Sequence, residues 1–168
     1  MARPFKLGAR FALLAQAKGA IVPDAHQKNG KPKDWRYWGR RLTKVFNRWI
    51  RLRDTVGILG GHARIGKCIT CGAVLSFEKL LACHYIPSQH LGTRWHEKNV
   101  NAGCAHCNKW MEGNRPAYTE NLPKKWGAGV LVELAIAKKL NARHPDIESL
   151  KLMWADYTAR VKAIEAPK

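Results

Sequence analysis

Cys68, Cys71, Cys104 and Cys107 stand as two C-x-x-C pairs, and no other feature constrains the fold of this 168-residue chain so strongly. Two such knuckles bring four thiolates to one point, the donor set of tetrahedral Zn²⁺. The loop between the pairs is longer than in a zinc ribbon and leaves room for a hairpin. Cys83 and His84 lie inside it. A structural zinc is expected here, its binding coupled to folding.

Charge limits the partners. The chain carries 30 Lys and Arg against 12 Asp and Glu, a formal net charge of +18. That excess points to a polyanion, above all nucleic acid, rather than to an acidic membrane surface. No apolar run approaches the roughly 20 residues of a membrane-spanning helix. The apolar run Phe11 to Ala15 is too short for a secretory signal and is followed by Lys18. Five cysteines with metal-binding spacing then suit a reducing cytoplasm rather than a disulfide framework.

The expected fold class is α+β, a small zinc-stabilised core with flanking basic helices. Residues 1–34 read as a basic N-terminal segment and linker, with a hint of a short first helix and then turn formers such as Pro23 and Asn29-Gly30. Residues 35–127 read as a basic helix plus the zinc-framed core, and residues 128–168 as a C-terminal helical extension. The basic helix is predicted from about Trp35 to Val56. Leu42, Val45, Phe46, Trp49 and Ile50 form its apolar stripe, and Arg36, Arg40, Arg41, Lys44, Arg48, Arg51 and Arg53 fill most of the rest. Short strands around a turn are expected over 67–87, a loop over 88–98, and a helix from the second knuckle through Trp110. Two more helices follow, Val130 to Leu140 and Ile147 to Ile164, with Asp146 as N-cap of the last.

Chemistry centres on His84. A neutral imidazole near its unperturbed pKa of about 6.5 can take a proton from water at neutral pH. A hard divalent cation held by oxygen ligands can stabilise the leaving oxygen of a phosphodiester. Asn99 reads as a loop-fixing residue whose amide bonds backbone groups and holds the His84 strand. Cys83 reads as a small buried residue. Arg40, Arg41, Arg48, Arg51 and Arg53 on the helix, and Arg94 beside Trp95 in the loop, are the expected DNA contacts.

The order His84, Asn99, Asn108, in register with both knuckles, resembles the HNH nucleases, in which a hairpin and helix enclose one divalent metal (the ββα-metal arrangement). More specifically, the chain resembles the NinG/Rap family of phage recombination proteins. Phe46, Asn47, Trp49, Ile50, Arg51, Arg53 and Asp54 match its helix, and Cys68, Thr70, Cys71 and Gly72 its first knuckle. His84-Tyr85, Asn99-Val100-Asn101, Cys104, Cys107-Asn108, Gly113-Asn114 and Tyr118 match the rest, over roughly residues 42 to 127. The resemblance implies a structure-selective endonuclease acting on branched DNA such as Holliday junctions and D-loops. It implies His84 as catalytic base, with Asn99 and Asn108 completing the catalytic triplet. It also implies a catalytic Mg²⁺ or Mn²⁺ held through Asn108, with Asn114, Glu112 or Glu97 as further candidates. Cys83 stands where many HNH enzymes have an Asp ligand. A phage-encoded protein acting in the host cytoplasm is implied, and paired incisions imply a homodimer, at least on the junction. The alternatives are a non-catalytic zinc-stabilised nucleic-acid-binding protein, in which His84 is structural, and a ribosome-associated basic zinc protein.

Overall fold

The computed structural model describes residues 34–57, 64–140 and 145–166. The expectations for residues 1–33 lie outside the described residues. The chain divides into two compact units, Met1–Val45 with Pro145–Lys168, and Phe46–His144.

Helix α1 (Trp35–Arg53) contributes to both. Asp34 caps it, its Oδ1 accepting from the Tyr37 amide at 2.9 Å. It ends at Arg53, short of the expected Val56. Thr55 turns its hydroxyl back onto the carbonyls of Arg51 and Leu52 at 2.9 and 3.2 Å, and the chain leaves as a strand. Of the expected apolar stripe, Leu42, Phe46, Trp49 and Ile50 are buried, and Val45 is half-buried.

In the first unit the start of α1 meets the C-terminal helix Ile147–Glu165. Trp38 packs edge-on to Trp154 with centroids 6.0 Å apart, and the Arg41 guanidinium lies 4.7 Å from the Trp154 centroid. Asp146 caps the C-terminal helix as expected, accepting from the Ser149 amide at 2.8 Å. Leu150, Tyr157 and Val161 form its buried face, while Met153 and Trp154 are half-buried.

The second unit holds two small sheets. Strands β1 (Thr55–Gly57), β2 (Arg64–Lys67) and β3 (Val74–Ser76) form one antiparallel sheet in that order. Strands β4 (Leu80–His84) and β5 (Val100–Cys104) form the other, with His84 opposite Val100 and Leu80 opposite Cys104. The β4–β5 connection, expected as a loop, contains one short helix, α2 (Leu91–Arg94). After β5 the expected helix is a single wide turn, His106–Trp110, in which the Met111 amide reaches the His106 carbonyl at 3.2 Å. Helices α3 (Arg115–Trp126) and α4 (Val130–Leu140) follow, making Ile147–Glu165 α5.

Helix α4 corrects the expected boundary at residue 128. Its Val130 and Leu134 are buried with Cys83, Ile86, Tyr118 and Leu122 in one apolar cluster. It completes the core of the cysteine-bearing unit instead of extending away from it, because β4 and α3 each leave an apolar face to cover.

Asp54 ties α1 to this core. Its carboxylate accepts from Arg53 at 2.7 Å, pairs with Lys125 of α3 at 2.7 Å, and accepts from the Ala102 amide of β5 at 2.8 Å. Burial alone would raise its pKa, but Arg53 and Lys125 outweigh burial and hold it below the usual carboxylate range. The Arg53 guanidinium lies 5.2 and 5.1 Å from the rings of Trp49 and Trp126, and it donates to the carbonyls of Glu97 and Val100 at 2.8 and 3.0 Å. Arg53, expected on the DNA surface, is therefore an internal strut. A guanidinium carries five donors, and these partners leave it turned away from solvent.

Candidate metal centre and the His84 hairpin

The two knuckles meet where the sheets adjoin. The first closes as a tight turn, Cys68 N bonding Ala73 O at 2.9 Å and Gly72 N bonding Cys68 O at 3.0 Å. Ile69 N then bonds Ala102 O at 2.9 Å, which fixes this knuckle to β5 and so to the second. The four Sγ atoms of Cys68, Cys71, Cys104 and Cys107 lie within 4.8 Å of one another. Tetrahedral zinc with Zn–S bonds of about 2.3 Å sets sulfurs ~3.8 Å apart, the separation of Cys71 and Cys104 Sγ here, 3.8 Å. An all-sulfur shell of this size fits Zn²⁺ and leaves no position open for substrate. Burial disfavours the Cys68 thiolate, yet the Thr70 hydroxyl at 3.1 Å and neighbouring backbone amides bring its pKa down to about 6. Among the described residues the apolar cluster at the sulfurs is Cys68, Cys104 and Cys107 with half-buried Leu75, too few apolar groups for a core.

Asn114, a candidate for the catalytic metal, reaches this sulfur cluster with its amide nitrogen. Its Nδ2 donates to Cys107 Sγ at 3.8 Å. The backbone makes this possible by three successive left-handed residues, Glu112, Gly113 and Asn114, with φ of 49°, 88° and 45°. Glu112 is exposed. Outside the four cysteines, the described residues contain no group of three or more His, Cys, Asp or Glu placed to hold an ion.

His84 ends β4 at the far end of the hairpin from Cys104. Its Nε2 bonds the Arg94 carbonyl at 2.9 Å. A carbonyl can only accept, so Nε2 carries the proton and Nδ1 keeps the lone pair. Burial, helped by the Arg94 charge and opposed by the Arg94 carbonyl, lowers the His84 pKa, so the ring is neutral at pH 7. His84 is half-buried.

Asn99 is fully buried. Its Oδ1 accepts from Ile86 N at 2.7 Å, and its Nδ2 donates to the carbonyls of Ile86 and Thr93, each at 2.9 Å. It closes the loop whose Arg94 carbonyl fixes His84, so it positions the imidazole and is sealed from any substrate. Asn99→Ala would leave two buried backbone groups, the Ile86 N–H and C=O, without this partner, and we expect a loss of about 2–4 kcal/mol of stability in urea unfolding. An unchanged urea midpoint would show that water or neighbouring groups replace the amide.

Asn108 sits on the wide turn, half-buried, and its carboxamide makes no hydrogen bond among the described residues. The chain returns from the sulfur end of the hairpin past Asn108 to the His84 end, where Arg115 bonds the Tyr85 carbonyl. The Tyr118 hydroxyl donates to the Cys83 carbonyl at 2.9 Å. The structure thus brings the four cysteines together and links Asn99 to His84. It forms no hydrogen bond between His84 and Asn108. Cys83 is buried, its thiol pushed up to about 12 by burial first and the other cysteines second, which closes it to a hard cation. Gly103, paired with Leu81 on the neighbouring strand, must lack a side chain, because a Cβ there would stand 2.6 Å from Cys83 Sγ.

The basic residues of α1 divide. Arg36, Arg40, Lys44 and Arg48 are exposed at four-residue intervals. Arg41 bonds the Tyr37 hydroxyl at 2.8 Å and lies against Trp38 and Trp154, and Arg51 stacks 4.4 Å from Phe77. Those two are half-buried supports. Arg94 is half-buried with its guanidinium 5.1 Å from Trp95. Sequence reasoning missed the Asp54 clamp, although Arg53 and Asp54 end a basic helix and Lys125 recurs on α3.

Among known protein families, residues 19–166 match the one described as NinG, Bacteriophage Lambda NinG protein. The chain belongs to the NinG family. The NinG protein of Escherichia phage lambda is 26% identical over 132 residues, 79% of this chain and 58% of the relative. That of Salmonella phage P22 is 26% identical over 133 residues, 79% of this chain and 59% of the relative. The chain thus spans under two thirds of the length of these NinG proteins. No solved structure matches it. No described helix is long and apolar enough to cross a membrane.

Proposed function

We propose that this NinG-family chain is a structure-selective DNA endonuclease that cuts branched recombination intermediates, Holliday junctions and D-loops, by hydrolysing a phosphodiester. The observation that carries this reading is the state of His84: a neutral imidazole, tautomer set by the Arg94 carbonyl, with Nδ1 bearing the lone pair. That is the condition of a general base at pH 7. In this reading Nδ1 takes the proton of the attacking water. Asn99 keeps the ring in line through the loop, and the zinc-bound knuckles fix the hairpin. A bound Mg²⁺ or Mn²⁺ would relieve charge on the phosphate and the leaving oxygen. Asn108 offers it one amide oxygen, and with no acidic cluster beside it, most of its ligands would come from phosphate and water. Exposed Arg36, Arg40, Lys44 and Arg48 would track phosphates. Two incisions per junction call for two copies of the chain on the DNA.

A second reading, a zinc-stabilised nucleic-acid-binding protein without hydrolysis, is favoured by one observation: Cys83 occupies the place of an acidic ligand. A four-way junction and a matched linear duplex, each incubated with Mg²⁺, Mn²⁺ or neither, separate the two. The endonuclease reading expects metal-dependent paired cuts near the branch and little cutting of the duplex. Tight binding without cleavage under every condition would replace it with the second reading.

A further inference from the structure

All 7 tryptophans of the chain lie in the described residues, and six are buried or half-buried. Trp110 is 80% exposed. A lone indole that exposed on a surface forgoes burial that its six counterparts achieve. Its support is firm. It ends the wide turn, where Met111 N bonds His106 O at 3.2 Å, Gly113 N bonds Cys107 O at 2.9 Å and Asn114 N bonds Met111 O at 2.7 Å. Cys107 in that turn is one of the four clustered cysteines. Trp110 is therefore held out from a braced platform, two residues from Asn108.

Its surroundings narrow the occupant. Lys109 and Arg115 are exposed, as are Met111 and a single acid, Glu112. Within the turn the exposed apolar side chains are Trp110 and Met111 alone, little for a protein interface. The whole chain carries +18, so the favoured partner is polyanionic. An exposed aromatic face with basic neighbours in the chain suits a nucleobase, because every base offers a π face of its own. An intact duplex has no free face inside its stack, whereas a branch point or single-stranded arm does.

We infer that Trp110 is a stacking platform for an unpaired DNA base at the branch, and that it supplies part of the selectivity for branched over linear DNA. This rests on the nucleic-acid reading above and adds a ligand class to that surface. It needs no hydrolysis.

The test measures binding of the full chain without Mg²⁺. The probes are a junction with an unpaired base at its centre, the same junction with an abasic site there, and linear duplex. Trp110→Ala should weaken binding to the unpaired-base junction by about 5- to 150-fold, the range for one stacked base. Trp110→Phe should retain most of the affinity. Both variants should bind abasic and duplex DNA as the wild type does, with an unchanged salt slope, because no phosphate contact is lost. Equal affinity of Trp110→Ala and wild type for the unpaired-base junction would overturn the inference. So would an equal loss on all three probes, or a loss of self-association alone, which would assign the ring to a protein interface. If the wild type shows the base preference but cuts nothing when Mg²⁺ is added, the endonuclease reading fails and the stacking platform stands. If the wild type cuts and Trp110→Ala binds unaltered, the reverse holds.

Discussion

His84→Ala is expected to cut a four-way junction ~10²- to 10⁴-fold more slowly than the wild type, the usual cost of losing a general base. Zinc content and junction affinity should stay near wild type, because the ring bonds the Arg94 carbonyl and is not part of the four-sulfur group. The pH profile gives a second reading of the same group. Burial lowers the His84 pKa, and the working form is the neutral one. The rate should therefore be flat through pH 7 and fall in acid, with its midpoint below the unperturbed value of about 6.5. The limb should vanish in His84→Ala. Asn108→Ala should also be slow, but excess Mg²⁺ should restore part of its rate, since its role is to hold the ion. Wild-type cleavage by a folded, metal-loaded His84→Ala would remove His84 from the mechanism.

Stripping the metal should have the larger structural effect. The purified chain should contain one zinc, and a strong chelator should abolish the near-ultraviolet and much of the far-ultraviolet dichroism of the Phe46–His144 unit. Zinc contributes ~10–16 kcal/mol to the folding of small zinc-finger peptides, comparable to the ~5–15 kcal/mol net stability of a whole domain. Among the described residues half-buried Leu75 is the one hydrophobic side chain outside the cysteines packed on the sulfur cluster, so no apolar core would replace the ion. Cys107→Ser should lose both zinc and fold. Its thiolate brings together the second knuckle, the wide turn and Asn114. Cys83→Ala should keep one zinc, because Cys83 is outside the four-sulfur group, and it should lose only the modest stability of a small buried side chain. Pure protein without zinc, or a chelated protein with unchanged dichroism, would contradict this account.

Local spacing determined a good deal by itself. Two C-x-x-C pairs can turn four sulfurs to one ion wherever the rest of the chain goes, so the cluster was legible from spacing alone. Apolar periodicity marked the buried face of α1, and Asp146 marked the start of α5, because both depend on residues within one or two turns. The loop-fixing role of Asn99 was legible because an amide beside a strand end can bond backbone on both sides. Direction was decided only by distant partners. Arg36 and Arg40 face solvent while Arg41, Arg51 and Arg53 turn to Trp154, Phe77 and Trp126, rings that lie 25 or more residues away in sequence. In the same way α4 joined the cysteine-bearing unit because β4 and α3 left an apolar face uncovered, and Asn114 turned to a sulfur through a left-handed backbone run. A side chain's chemistry is written in its own residue type, but whether that chemistry is buried, paired or free depends on which surfaces the fold sets beside it.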